Sequence, residues 1–539
     1  MPDPAARRDA SILRVATLAY LLLVGLMSWC QRGYCNADFV AYVTIARAPL
    51  EHVGGYWSPL YSWLMTPLLW MGVGDLVAGR LVLVIAGVGY LFAVHALARQ
   101  LAPERGAARS AVLVAAQVVA VTQAGLWATH LLGPDLVAAA LMLAALAMMI
   151  ATPWSATRAV AVGAIFGLAY FGKAFMLPFA ALVTPVLLWL RRSMHAPGAP
   201  AVRWWRDCAL VLLGLTIVAG PWIAVLSVKY GGFTFSTAGA ANHANLGPHA
   251  RGLDLLWNPL LEANYILEPH FGPDWSPFAS LRNFGHQVFL VAFNVWKALG
   301  QIVGYVVLLA VAIVWRRACV RRGAVPPLAA IERARLRQCL LASAIYLLGY
   351  SAVDIERRYH VPMLAPLLAV AALSLLAPCL PSARWSMART LGAAVLSMVP
   401  FAGQEIRLLW VTCDRHPQSW NVEGPRADVR ALRDAGWDGA AFAASDWHRG
   451  LAVAYVSGAL GAYLGRPLAP TPAERGHQLR RAGARYFVQF APGAGEAEAC
   501  LDPAWRPAPS SRRSGVQVLI DTRGVEPAAN SGPEAFRGR

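Results

Sequence analysis

The amino-acid sequence predicts an all-α polytopic membrane domain of about eleven transmembrane helices, followed by a small C-terminal α/β domain. Three observations carry this expectation. The 539 residues are 57% hydrophobic and only 14% charged, with a mean hydropathy of +0.47, whereas globular domains carry about 25% charged residues. Apolar runs of roughly 17 to 22 residues recur along most of the chain, the length a helix needs to cross about 30 Å of hydrocarbon. After Gly403 the runs stop, and the remaining residues read as soluble.

In order, the spans are expected at 12–30, 76–98, 108–124, 134–151, 158–172, 174–190, 208–228, 287–315, 337–352, 361–379 and 388–404. The first follows Arg7 and Arg8 and has no small-residue cleavage site, so it reads as a retained helix. The stretch 58–74, although apolar, is assigned to a loop. The formal net charge of +18 takes its meaning from where it sits. Arginines cluster at Arg7, Arg8 and Arg14, at Arg99, Arg105 and Arg109, from Arg191 to Arg206, and from Arg316 to Arg337, which puts them on every second loop. That is the positive-inside pattern, with those loops beside anionic membrane lipids, and it removes nucleic acid as the partner the charge would otherwise suggest. The loops 31–75, 125–133, 229–286 and 353–360 then face outward, as does the C-terminus.

The membrane domain is expected over 1–404, an extracytoplasmic α/β domain over 405–522 and a disordered tail over 523–539. RADVRALRDAGWDGAAFAAS reads as helix, turn and strand, HRGLAVAYVSGALG as a helix, PAERGHQLRRAGARYFVQF as helix, Gly turn and strand, and GVQVLIDT as a last strand. No Gly-x-Gly-x-x-Gly is present, so a dinucleotide site has no support. The eight cysteines show neither metal spacing nor Cys-x-x-Cys. Cys413 and Cys500 both fall in the exported part, where an oxidising compartment would let them pair.

The first outward loop carries NADFVAYVTIARAPLEHVGGYWSPLY. Asp38 and Tyr42 are spaced i, i+4 and share one face of a short helix, while Phe39, Val43 and Ile45 offer an apolar surface to the membrane interface. Pro49 and Gly54-Gly55 end that helix. Ser58 is expected as the N-cap of a second helix with Pro59 at its first position, and Trp57 and Tyr61 as interfacial anchors. Asp38 by itself reads equally well as a solvated loop acid. Lys173 sits between two short spans; an ionisable residue there is either functional or snorkels to the interface. Arg357 and Arg358 break the positive-inside pattern by lying on an outward loop, with Asp354 and Glu356 as available ion-pair partners. Asp135 in GPDLVAAAL suits the dipole of a helix N-terminus. Loop 229–286 carries His243, His249, Glu268, His270, Asp274 and His286 without metal spacing, and Trp275 among Pro and Gly suggests a mobile lid.

DFVAYVTIA, GGYWSPLYSWLM, FGKAFMLPF and ERRYHVPMLAPLLAV together resemble the GT-C superfamily of membrane glycosyltransferases. The likeness is to the bacterial branch related to aminoarabinose transferases and protein O-mannosyltransferases, and it spans residues 12–404. It implies a GT-C type fold and a hexosyl or pentosyl transferase acting in cell-envelope glycosylation. The donor would be a polyprenyl-phosphate-linked sugar, and the acceptor a lipid, glycan or protein at the outer face of the bacterial cytoplasmic (inner) membrane. In that family an acid of the first exterior loop is the catalytic base or a metal ligand, a role that falls on Asp38, with a divalent metal ion as a cofactor. Many members carry a second, adjacent acid; here Ala37 and Phe39 flank Asp38, so one carboxylate must serve. Lys173, Arg358, Arg357 and His360 would then hold the donor phosphate, and Tyr42, Trp57, Tyr61, Asp135 and Tyr359 would line the substrate site. A transporter or flippase of lipid-linked sugars is the alternative: it needs a similar number of spans and suits an intramembrane lysine.

Overall fold

The computed structural model describes residues 4–31, 34–104, 106–191, 204–248, 275–379, 388–389, 391–396, 419–421, 423–459, 462–464, 471–490, 504–508 and 516–522. Contacts divide the chain into a larger unit (Met1–Arg32, Ala41–His249 and Pro273–Thr412) and a smaller one (Gly33–Val40, Ala250–Gly272 and Cys413–Arg539). The helices run α1 Pro4–Cys30, α2 Ala37–Arg47, α3 Leu60–Trp70, α4 Asp75–Leu101, α5 Ala107–His130, α6 Asp135–Ile150, α7 Ala156–Gly172, α8 Met176–Arg191, α9 Trp204–Tyr230, α10 Ala238–Asn245, α11 Leu281–Gln301, α12 Val303–Arg321, α13 Ala330–Ser351 and α14 Arg357–Leu376.

Among the described residues, six helices are long and apolar enough to cross a membrane: α1, α4, α5, α9, α12 and α14. The equally apolar α6, α7 and α8 are shorter, at 16, 17 and 16 residues. The run expected as one span at 287–315 is two helices, interrupted at Ile302. Its first half, α11, is amphipathic: Phe284, Phe293 and Trp296 are exposed, while buried Asn294 donates to Ser351 O at 3.0 Å. Of the eleven spans expected, six thus meet that length and hydropathy among the described residues, with the three shorter apolar helices and the mixed α11 and α13 beside them. The span expected at 388–404 is described only at 388–389 and 391–396.

Small residues and rescued backbone groups hold the larger unit together. Where α7 meets α9, a Cβ on Gly163 would overlap Val211 O and one on Gly214 would overlap Val160 O, so only glycine lets the two backbones touch. Pro366 has no N–H, which leaves Pro362 O without its partner in α14; the Tyr90 hydroxyl of α4 donates to that oxygen at 2.7 Å. Arg191, fully buried at the end of α8, donates to Met149 O and Ala151 O at 2.8 and 2.9 Å and so closes the C-terminal turn of α6. Asp9 of α1 is likewise buried between Arg109 (2.7 Å) and Arg99 (3.4 Å).

In the smaller unit, β1 (Tyr34–Asn36) pairs antiparallel with β2 (Ser419–Asn421). A four-stranded sheet follows, built from β3 (Phe442–Ala444), β4 (Tyr486–Phe490), β5 (Trp505–Pro507) and β6 (Val516–Asp521) in the order β3-β4-β6-β5, with β3 parallel to β4 and the other pairs antiparallel. The helices Glu423–Asp434, Trp447–Ser457 and Pro472–Arg481 stand where the helix–strand alternation predicts them. Asp446 caps the second, and a Thr471–Glu474 capping box starts the third. Phe487, Leu519, Trp505, Leu479, Ala443 and Ala484 form its core. Strand β5 and the β1–β2 pair lie outside the expectation. Cys413, Cys500 and residues 523–539 lie outside the described residues.

Candidate active site

The described cations that best fit a binding role meet at the start of α14. Lys173 is the C-cap of α7, in extended conformation where α7 gives way to α8. Its Nζ lies 2.9 Å from Asp135 Oδ1 at the start of α6 and 3.8 Å from the centre of the Tyr359 ring. Arg358 lies 5.1 Å from the centre of the same ring, with an N–H 3.3 Å from the Tyr359 hydroxyl. The Arg358 guanidinium pairs with Glu356 at 2.7 Å. Two cations from distant parts of the chain thus meet one aromatic ring, each held by a carboxylate. Behind Tyr359 stand Tyr350, stacked at 5.4 Å, and Phe175, 4.0 Å from Tyr350. The Tyr346 hydroxyl donates to Tyr359 O at 2.6 Å. Asp354, in the α13–α14 connection, has its carboxyl pushed above the usual range by burial and by neighbouring Glu356.

The first-loop aromatics form a second group. Tyr42 is buried and packs edge-on against Trp57 (5.1 Å) and Tyr61 (5.4 Å), and Ser62 Oγ donates to Tyr42 O at 2.8 Å. Tyr61 is fully buried, so it is a core residue and not the interfacial anchor expected of it. Phe39, Val43 and Ile45 are also buried inside the protein and do not face a membrane interface. Ser58 does not cap α3, whose N-cap is Pro59; its hydroxyl accepts from Ala174 N at 3.0 Å. That bond ties the loop before α3 to the residue after Lys173.

His360 is fully enclosed, and its Nδ1 donates to Glu356 O at 2.8 Å. That bond holds the first turn of α14. Arg357, the first residue of α14, is half-buried. Asp38 lies in the first turn of α2, half-exposed, between buried Ala37 and buried Phe39. It belongs to the smaller unit, whereas Tyr42 belongs to the larger.

No protein-family model matches the chain, and no curated protein matches it by sequence. Solved structures do. ArnT from Cupriavidus metallidurans, bound to undecaprenyl phosphate, superposes with a TM-score of 0.54 at 14% identity, over 95% of this chain and 97% of that one. The apo state of the same protein gives 0.50 at 14% identity, over 96% and 98%. The fold is the GT-C fold. A further match is the archaeal oligosaccharyltransferase AglB from Archaeoglobus fulgidus, in complex with an inhibitory peptide and a dolichol-phosphate, with a TM-score of 0.47 at 12% identity, over 90% of this chain and 69% of that one.

On this GT-C fold, sequence reasoning missed three contributors to the cluster. Glu356 entered only as a neutralising partner, Phe175 only as a neighbour of Lys173, and Tyr350 not at all. The spacing of Tyr346 and Tyr350, i and i+4 at the end of α13, was the available signal. In the loop 229–286, His243 stacks on Trp275 at 4.2 Å and pairs with Gln287 Oε1 at 2.8 Å, while His286 Nε2 lies 2.7 Å from Leu246 O. His249, Glu268, His270 and Asp274 lie outside the described residues. Among the described residues no three His, Cys, Asp or Glu come together as metal ligands. A donor set for the divalent ion implied for Asp38 is not assembled among the described residues.

Proposed function

We propose that this chain is an integral-membrane glycosyltransferase that moves a sugar from a polyprenyl-phosphate-linked donor to a lipid, glycan or protein acceptor at the outer face of the bacterial cytoplasmic membrane. The observation that carries the reading is the convergence of Lys173 and Arg358 on the ring of Tyr359, among apolar helices. The likeness to ArnT, solved with undecaprenyl phosphate, supports a donor of this class.

The phosphate enters between the two cations, and charge-assisted bonds to its oxygens replace those to Asp135 and Glu356. Arg358 offers a planar fork and Lys173 a point charge; Arg357 is assigned to the same phosphate. Tyr42, Trp57, Asp135 and Tyr359 line the substrate side, Tyr61 backs Tyr42 from the core, and His360 fixes the start of α14. Asp38 takes the proton from the acceptor's hydroxyl or amine. The acceptor's lone pair bonds to the anomeric carbon, whose bond to the phosphate oxygen breaks with its electrons on the departing polyprenyl phosphate. Preorganised cations stabilise that growing charge in a site from which water is excluded.

The test is incubation of purified protein with undecaprenyl-phosphate pentoses and hexoses, measuring released undecaprenyl phosphate. Release that rises with added acceptor is expected; no release from any donor overturns the enzyme reading in favour of transport. Lys173→Met should lower kcat/KM for the donor about 10²–10³-fold, the scale for losing one preorganised charge stabiliser. It also strands Asp135. Adding Asp135→Asn is therefore expected to restore thermal stability without restoring kcat/KM, a separation that steady-state rates and melting curves read directly.

A further inference from the structure

The smaller unit contains more than the C-terminal segment. It also takes in Gly33–Val40, so the first turn of α2, with Asp38, is grouped with residues 413–539, while α2 from Ala41 onward is grouped with the helices. The reason is visible in the backbone. Strand β1 ends at Asn36 and α2 begins at Ala37 with no loop between them. Tyr34, Cys35 and Asn36 pair in register with Asn421, Trp420 and Ser419. Cys35, Asn36, Ala37, Phe39 and Val40 are all at most 5% exposed, whereas Asp38 is half-exposed.

The ladder is itself braced. β2 contacts both the Glu423–Asp434 and Trp447–Ser457 helices, which pack on β6 and β3 respectively. Arg449 of the second helix bonds both oxygens of buried Asp428 in the first, at 2.9 and 3.0 Å. Packed elements therefore run without a break from the four-stranded sheet to the backbone of Asp38.

We infer that Ser419–Asn421 is the positioning strand for Asp38: the C-terminal domain holds the carboxylate at its working position through the β1–β2 ladder. This rests on the reading of Asp38 as the base. A carboxylate presented from a strand–helix junction without a flexible loop keeps its direction, and a misplacement of about 1 Å costs on the order of 10²-fold in rate. The first turn of α2 alone would fray without the ladder, as terminal helical turns do.

Two measurements on the full-length protein in membranes test this. Residues directly opposite in an antiparallel pair have Cα atoms about 4.5–5.5 Å apart, inside the span of about 4.4–6.8 Å that a disulfide bridges. Trp420→Cys should therefore link to Cys35 on oxidation with copper phenanthroline, mapped by mass spectrometry, and the linked protein should keep its kcat within about 3-fold, since the ladder already holds that geometry. Absence of the link overturns the inference, whether or not turnover is measurable. Insertion of two glycines between Asn36 and Ala37 uncouples Asp38 from the ladder. Assayed with the undecaprenyl-phosphate sugar that the wild type turns over fastest, it should lower kcat about 10²-fold while donor KM stays within about 3-fold. Wild-type kcat in the insertion variant also overturns it, and if that variant does not fold, the cross-link alone decides. Asp38→Asn run in parallel separates the two readings. Full turnover there removes the base assignment, whereas an inactive Asp38→Asn beside a fully active insertion variant removes only the positioning role.

Discussion

Asp38→Asn is expected to lower turnover about 10²–10⁴-fold, the usual contribution of a positioned general base, while leaving donor binding nearly intact. The amide matches the carboxylate in size but cannot accept the acceptor's proton at neutral pH. The competing account, a solvated acid near a helix start, predicts a different size of effect. In the first turn of α2, a carboxylate gains only about 0.3–1 kcal/mol from the helix dipole. Losing that gain would shift stability slightly and the rate hardly at all. Donor binding should survive because the substitution leaves the Lys173–Asp135 and Arg358–Glu356 pairs in place. Single-turnover rates at saturating undecaprenyl-phosphate sugar, set beside equilibrium binding of the same lipid, give both quantities. Unchanged turnover would remove Asp38 from the chemistry.

The long apolar helices were legible because bilayer thickness imposes a run length that few other structures need. α4, α5, α9 and α14 lie where their runs predicted. The helix–strand alternation after Gly403 was equally readable, since each segment carries its own period. What stayed hidden depends on partners distant in the chain. Lys173 and Asp135 were separate candidates, each with a sufficient local explanation; that they form one ion pair at 2.9 Å follows from the packing of α6, α7 and α8. Ser58 looked like a helix cap because local spacing favoured it, yet its hydroxyl serves Ala174 instead. Tyr61 looked interfacial because aromatic residues at span ends usually are, but α3 packs it against Tyr42. The break at Ile302 lies between Gly300 and Gly304, a signal hidden by the apolar run on both sides of it. The β1–β2 ladder joins two three-residue strands too short for a pattern.

Gly214→Val is expected to prevent accumulation of a folded, monodisperse protein. On α9 a Cβ at Gly214 would run into Val160 O and come within 3.0 Å of Ala164 N, and on α7 a Cβ at Gly163 would run into Val211 O. The obstructing atoms are backbone, which cannot rotate away as a side chain can. A Cβ on Gly167, one turn along α7, would come within 2.7 Å of Val218 Cβ, so the close approach extends over a full turn of α7. In a bilayer the lipid tails are as apolar as the side chains, and helix association depends on close contact of this kind. Forcing α7 from α9 also displaces the C-terminal end of α7, and Lys173 is its cap. Overpacking of a core typically costs about 1–3 kcal/mol, and obstruction by fixed backbone belongs above that range, where about 4–5 kcal/mol marks an exceptional loss. Gly163→Ala and Gly214→Ala combined should cost less than the sum of the two singles, because separating the helices once relieves both overlaps. Gly300→Ala in α11, with nothing within 4 Å of the added methyl, is the control and should be neutral or stabilising. Size-exclusion profiles in detergent and apparent Tm distinguish these outcomes, and a monodisperse Gly214→Val protein melting with the wild type would show that α7 and α9 do not meet at these glycines.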